Sequence, residues 1–248
     1  MKHLSFDCLT VFFFLTIFGS LAYGQAPNNP TKSKKAVSLQ AVKLSGGTIE
    51  GTVIYHADPK RRWRYARYYV QSSRKGYLAE ALVCLRSRKL KKQSPPARPT
   101  TVVIDQKDHN FTPETTAIRV GDRVKFTNSD YQVHNVYSTD SRNVFDITMG
   151  SEGSFIQPFD RASGINRPVK VGCRFHGSMR AWVYVLEHPY FQVTSIKGQF
   201  RLENVPPGDY YLEMRHPAGE LSWRRKIKVS ADQKQRIDIN VSPDNLLE

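Results

Sequence analysis

The chain has 248 residues and a formal net charge of +15, enough length for one large or two modest domains. The positive charge is concentrated in one stretch: residues 60–98 hold thirteen Lys or Arg residues and one acid, Glu80. Such a stretch indicates an anionic partner (an acidic protein, an anionic polymer or a membrane surface) or else a solvated basic face. The only long apolar run in the sequence is at the N-terminus, so we do not expect a protein with several membrane-spanning helices.

The N-terminus has the pattern of a secretory signal peptide. Met1-Lys2-His3 is basic, residues 9–21 are apolar or small, and Ala22 and Gly24 are the small residues before a cleavage site. The alternative is a membrane anchor, but the run is shorter than the ~20 residues that span a bilayer. We expect cleavage after Gly24 and a mature protein that is secreted or periplasmic. Nucleic acid is not an expected partner of an exported protein.

The rest of the chain predicts an all-β fold. Residues 25–45 are polar and Pro-containing, as in a flexible linker. After Gly46 the chain is a succession of short β-branched or apolar runs without a sustained helical period, which favours β-sandwiches. The predicted strands are residues 48–55, 79–85, 101–104, 117–120, 123–127, 169–172, 181–186, 198–202, 209–214, 226–229 and 236–241.

A candidate metal site begins with the stretch VGCRFHGSM. Cys173, His176 and Met179 follow one another at spacings of three, which places a thiolate, an imidazole and a thioether in one loop. A disulfide between Cys84 and Cys173 is the alternative, because an oxidising compartment favours pairing. Cys84 lies in the apolar run LVCL, which reads as a buried strand elsewhere in the fold, so we interpret it as an inert buried thiol.

His134 supplies a fourth candidate ligand from a separate strand. Two imidazoles and one thiolate with a weak thioether suit copper that cycles between Cu(I) and Cu(II). Zinc more often takes four strong ligands, and iron–sulfur clusters need more cysteines. The remaining histidines and one methionine are expected to be ordinary surface or boundary residues: His56, His109, Met149, His188 and His216.

The segment from Thr101 to Glu187 resembles the plastocyanin-like cupredoxins, with a ligand loop of the short amicyanin type. The resemblance is carried by Phe-Thr-Pro at 111–113, Ile-Arg-Val-Gly-Asp at 118–122, His-Asn-Val at 134–136 and the Cys-x-x-His-x-x-Met loop. It implies one type 1 copper ion bound by His134, Cys173, His176 and Met179. It also implies that Asn135 braces the ligand loop through its side chain, and that His176 is the electron port.

A second resemblance suggests that this domain is inserted into another. The segment GQFRLENVPPGDYYLEMRH, residues 198–216, resembles the later half of a carboxypeptidase regulatory-like (transthyretin-like) β-sandwich, and residues 47–55 followed by 79–85 resemble its opening. Pro207-Gly208 predicts a tight hairpin turn. Two independent domains in a row are the alternative. The predicted division is a signal peptide 1–24, a linker 25–45, half-sandwiches 46–98 and 188–242 around a copper domain 99–187, and a tail 243–248.

The sequence supports two hypotheses for function. The first is an exported electron-transfer protein that carries single electrons and whose basic stretch recruits an acidic redox partner or contacts a membrane peripherally. The second is a copper carrier, or a surface module that binds protein or glycan. We do not expect an enzyme, because copper oxidases of this superfamily need His-x-His pairs and the sequence contains none.

Overall fold

The computed structural model describes residues 45–58, 60, 75–90 and 98–245, and β-strands dominate this part of the chain. The predicted signal peptide, nearly all of the linker and much of the basic stretch lie outside the described residues. A turn of 3-10 helix covers Arg88–Leu90, and no helix in the described ranges is long and apolar enough to cross a membrane. The strands are β1 Gly47–Tyr55, β2 Leu82–Arg86, β3 Thr101–Lys107, β4 Asn110–Thr112, β5 Thr115–Arg119, β6 Arg123–Asn128, β7 His134–Ser138, β8 Phe145–Met149, β9 Ser154–Pro158, β10 Val169–Gly172, β11 Arg180–Leu186, β12 Phe191–Val193, β13 Gln199–Val205, β14 Gly208–His216, β15 Leu221–Val229, β16 Lys234–Arg236 and β17 Ile239–Val241.

Strands β3 to β11 form one sandwich, called here the middle sandwich. One sheet has the order β4-β3-β6-β9, and the facing sheet has the order β5-β11-β10-β7-β8. The alternation in β6 shows why it forms a half-buried strand: Val124 and Phe126 are fully buried, while Arg123 is exposed. Burying the apolar face of each sheet against the other makes one continuous core.

The second sandwich is built from both ends of the described chain. Its first sheet has the order β13-β1-β16, with β17 also paired to β1, and its second has the order β12-β2-β14-β15. Strands β1 and β2 precede the middle sandwich in the sequence, and β12 to β17 follow it. The predictions of an all-β fold and of a second sandwich split by the first are therefore confirmed, while the domain boundaries at single residues stay predictions.

The two sandwiches share a buried apolar interface. Strand β11 is buried on both faces: Val183 and Val185 face the core of the middle sandwich, whereas Tyr184 packs against the second sandwich. Strand β2 behaves in the same way, with Leu82 facing the interface. This explains why both strands read as continuous apolar runs, because alternation is lost when both faces of a strand are covered.

Three sequence predictions of local structure are wrong. Strands β13 and β14 lie in different sheets, so Pro206-Pro207 connects the two layers, and the predicted hairpin turn at Pro207-Gly208 does not form. The run at 79–85 becomes a strand only from Leu82, and the run at 236–241 divides into β16 and β17. Proline and glycine favour a change of chain direction, but they do not decide whether the next strand pairs with the previous one.

Candidate metal centre

Three of the four predicted ligands converge at one end of the middle sandwich. His134 opens β7, Cys173 follows β10 directly, and His176 lies in the loop 173–179 between β10 and β11. Their donor atoms all lie within 4.8 Å of one another. His134 Nδ1 is 3.1 Å from His176 Nδ1, and Cys173 Sγ is 3.7 Å from the same nitrogen.

These separations suit a single metal ion. Bonds from a metal to imidazole nitrogen and thiolate sulfur are about 2.0–2.3 Å long, which leaves neighbouring donor atoms roughly 3–4 Å apart. The donor set of two imidazoles and one thiolate is the trigonal set that suits copper. His134 is fully buried and Cys173 nearly so, whereas His176 is half-buried. The arrangement therefore places two donors inside the protein and one at its surface.

Asp130 orients His134, and sequence reasoning missed it. Its Oδ2 lies 2.8 Å from His134 Nε2, so the imidazole can donate its proton to Asp130 and keep Nδ1 as a lone-pair donor. Desolvation opposes ionisation of this carboxyl group, but hydrogen bonds from His109 N–H, His134 and Asp108 N–H hold the pKa of Asp130 below its ordinary value. The only signal in the sequence was a carboxylate four residues before a predicted ligand.

Asn135 has the contacts expected of a residue that braces the ligand loop. Its backbone N–H lies 3.4 Å from Cys173 Sγ, and its side-chain amide donates to Asp146 Oδ1 at 2.8 Å. Asp146 in turn accepts a hydrogen bond from Arg174 Nε at 2.7 Å. The Arg174 and Asn135 hydrogen bonds lower the pKa of Asp146, so the carboxylate stays charged. The chain Asn135–Asp146–Arg174 thus ties β7, β8 and the residue after Cys173 together.

Met179 closes the ligand loop from inside. Its side chain is buried in the same core as Cys173, and its backbone N–H donates to the carbonyl of His176 at 3.0 Å. Desolvation together with the neighbouring imidazoles of His134 and His109 lowers the pKa of His176, which favours the neutral ring that can donate a lone pair. The loop thus has a buried methionine at one end and a buried cysteine at the other.

Several expectations for the other candidate residues need correction. His109 is exposed, as expected, but its ring packs on both His134 and His176, so it is part of the surroundings of the centre. His216 and Met149, which the sequence predicts as surface or boundary residues, are both buried. Cys84 and Cys173 are free thiols, so they form no disulfide in the structure. Cys84 is buried as expected, but at the interface between the sandwiches.

No protein-family model and no curated protein matches the chain. Among solved structures, it is similar to a Cu(I) form of one amicyanin variant, with 21% identity over 34% of this chain and 81% of that chain and a TM-score of 0.30. A second amicyanin variant in the Cu(I) state shares 18% identity over 43% of this chain and 98% of that chain, with a TM-score of 0.31. The copper-containing nitrite reductase of Thermus scotoductus SA-01 shares 19% identity over 39% of this chain and 25% of that chain, with a TM-score of 0.32. Each likeness covers less than half of this chain, so its chemistry has to be derived from its own residues.

Proposed function

We propose that the chain is an exported type 1 copper protein that carries single electrons between redox partners. The observation that carries the proposal is the convergence of His134 Nδ1, His176 Nδ1 and Cys173 Sγ at separations that fit one ion. Copper held by this donor set can change between Cu(I) and Cu(II) with the loss or gain of one electron. His134, Cys173 and His176 would hold it, and Met179 would offer a weak thioether donor from the core side of the loop.

The protein's own contribution is to hold these donors in place while the charge at the centre changes. Asp130 fixes the ring orientation of His134, and Asn135 donates its backbone N–H toward Cys173 Sγ. The link from Asp146 to Arg174 restrains the start of the ligand loop. Groups of this kind orient ligands and tune a metal centre, so a rigid set favours fast exchange of an electron.

The same proposal extends to the partner and the location. We propose that the mature protein acts outside the cytoplasm and that its redox partner is acidic. Strand β15 supports an acidic partner, because Arg225, Lys226 and Lys228 are exposed along it. We propose that the second sandwich is a carboxypeptidase regulatory-like module, on the pattern of residues 198–216. We propose no catalytic role, since the sequence lacks the His-x-His pairs of a further copper cluster.

A direct test is voltammetry of the copper-loaded protein. An electron carrier should give one reversible one-electron wave per chain, because rigidly held donors need little rearrangement between the two states. Slow or irreversible cycling would contradict the electron-transfer proposal and favour a copper carrier built from the same donors. The Asp105→Asn variant is a control for the loss of a carboxylate elsewhere in the same sandwich. Asp105 accepts a hydrogen bond from the Thr127 hydroxyl within the β4-β3-β6-β9 sheet, so this variant should leave the wave unchanged.

A further inference from the structure

The tip of the β3–β4 hairpin places a third imidazole against the two candidate ligands. The ring centroid of His109 lies 4.9 Å from that of His176 and 5.4 Å from that of His134. Both pairs are nearly perpendicular, with interplanar angles of 88°. Edge-to-face packing at these distances is one of the preferred arrangements of aromatic rings. One side chain therefore restrains the rotation of both ligand rings.

The backbone at this tip adopts a conformation that few residues prefer. Lys107 pairs with Asn110, which leaves Asp108 and His109 as a two-residue turn with φ angles of 54° and 57°. Turns of this type favour glycine or asparagine at both positions, and among the other residues aspartate and histidine are the ones most often found with positive φ. Two consecutive non-glycine residues in this sparsely populated conformation are a reason to look for a function. Here the ring that results from it lies on the candidate metal centre.

Asp130 fastens the turn to the centre. Its two oxygens accept the backbone N–H groups of Asp108, at 2.8 Å, and His109, at 3.1 Å. The same carboxylate contacts His134 Nε2. The position of His109 and the orientation of His134 are therefore set by one side chain, which couples the hairpin tip to the metal ligands.

His109 stands outside the donor set. The three donor atoms that cluster within 4.8 Å belong to His134, Cys173 and His176. His109 is exposed, whereas the two rings that it contacts are buried or half-buried. Its ring consequently covers part of the solvent side of His176, the ligand that is nearest to the surface.

We propose that His109 is a positioning residue that closes the solvent side of the centre and holds His134 and His176 in their ligand orientations by ring packing. It slows the escape of the metal by keeping His176 from rotating away, without donating to the metal itself. The proposal rests on the proposed function only in requiring that the three donors hold a metal ion.

The experiment measures metal release from protein loaded either with Cu(II) or with Co(II), a metal that probes the same donors. The release rate after addition of excess chelator is followed through the loss of thiolate-to-metal absorption. His109→Asn removes the ring but suits the left-handed backbone, and His109→Phe keeps a ring of similar shape without a nitrogen. His56→Ala controls for loss of an exposed histidine, because His56 bonds to Asn240 in the second sandwich.

We expect His109→Asn to release either metal at least about tenfold faster than the unsubstituted protein, on the scale of other groups that support metal ligands. His109→Phe should restore slow release to within about threefold, with an unchanged absorption maximum in both variants. Equal rates for all proteins would overturn the proposal. Fast release from both His109 variants would also overturn it, because the nitrogen and not the ring would then matter. The two proposals can fail separately. If metal release is slow only when residue 109 carries a ring, and copper voltammetry is irreversible, the role proposed for His109 stands and only the electron-transfer proposal is refuted.

Discussion

The ligand-bearing end of the middle sandwich and its interface with the second sandwich each contain a buried free cysteine. Cys173 lies beside two imidazoles, and a backbone N–H points to its sulfur. Cys84 is 2% exposed and is surrounded by the apolar side chains of the interface, where burial, and secondarily the nearby carboxylate of Glu213, strongly raises the pKa of its thiol. Both thiols are buried, so burial does not distinguish a ligand from an inert residue. The neighbouring donors do.

The same contrast holds for two histidines that are both fully buried. His134 has Asp130 at one ring nitrogen and the nitrogen of His176 near the other. His216, in the second sandwich, accepts the backbone N–H of Gly219 at Nδ1, and burial lowers its pKa to about 4. An imidazole buried among apolar groups stays neutral and structural, whereas one that shares a pocket with other donors becomes a candidate ligand.

The largest effect that we expect is a loss of stability at the interface between the sandwiches, which should leave the metal centre unchanged. Leu82→Ala removes a fully buried side chain from the contact between the sandwiches. Such truncations cost about 2–5 kcal/mol of unfolding free energy because a cavity remains. We expect this loss in chemical denaturation of the metal-free protein, with no change in the absorption of the copper-loaded form. Ile196→Ala is the control, since Ile196 is 66% exposed and its truncation should change stability little. A loss of the copper absorption in Leu82→Ala would show that the two regions are not independent.

His216 predicts an acid-dependent loss of stability in the second sandwich. A pKa lowered to about 4 in the folded state, against about 6.5 when unfolded, stabilises the fold above pH 6.5. That contribution is lost as the pH falls from about 6.5 to 4, and corresponds to roughly 3 kcal/mol. Unfolding free energies at pH 7 and pH 4 should therefore differ less in His216→Leu than in the unsubstituted protein. Equal differences in both would refute this account of His216.

A smaller effect is expected when the support of His134 is weakened. Asp130→Asn keeps the size of the side chain but removes the charge that accepts hydrogen bonds from the turn and from His134. Losing a group that orients a metal ligand typically costs 10–100-fold in affinity, or about 1.4–2.7 kcal/mol. Competition titration with a copper chelator would measure the change. Asp105→Asn in the same sandwich should leave the affinity unchanged, and an equal loss in both would refute a specific role for Asp130.

The smallest expected effect lies at Glu80, which joins the sandwiches. Its Oε2 accepts the backbone N–H of Thr115 at 2.7 Å, while desolvation and the nearby Glu114 raise its pKa. A raised pKa means that Glu80 loses its proton at a higher pH in the folded state than in the unfolded state. The folded state therefore loses stability as the pH rises above the ordinary pKa of glutamate. Glu80→Gln keeps an acceptor for Thr115 and removes this cost. Its stability relative to the unsubstituted protein should increase from pH 4 to pH 7 in parallel denaturation curves; a constant difference would contradict the account.

The local part of the centre could be predicted from the sequence, and its surroundings could not. Cys173, His176 and Met179 share one short loop, so their spacing alone predicts that they lie together. Asp130 and His109 approach the centre only because β3 pairs with β4 and β6, which a linear pattern does not reveal. The turn between β3 and β4 carries Asp108 and His109 in place of the Asn-Gly that is typical of such turns, so the sequence does not indicate a hairpin there.

The fold shows the same division. Long alternating or doubly buried strands such as β1, β6 and β11 were predictable, because their patterns depend on burial alone. Short strands such as β4 and β12 are three residues long and carry too few side chains for a pattern. The predicted hairpin before Gly208 is wrong because the same turn residues also occur where a chain crosses from one sheet to another.

The central claim is that His134, Cys173 and His176 bind copper while Cys84 does not, and absorption spectroscopy tests it most directly. Cu(II) is added to the purified mature protein and to its Cys173→Ser and Cys84→Ser variants. We expect an intense thiolate-to-copper band at one copper per chain in the unsubstituted protein and in Cys84→Ser, and no band in Cys173→Ser. A colourless unsubstituted protein, or a band that disappears with Cys84 instead of Cys173, would contradict it.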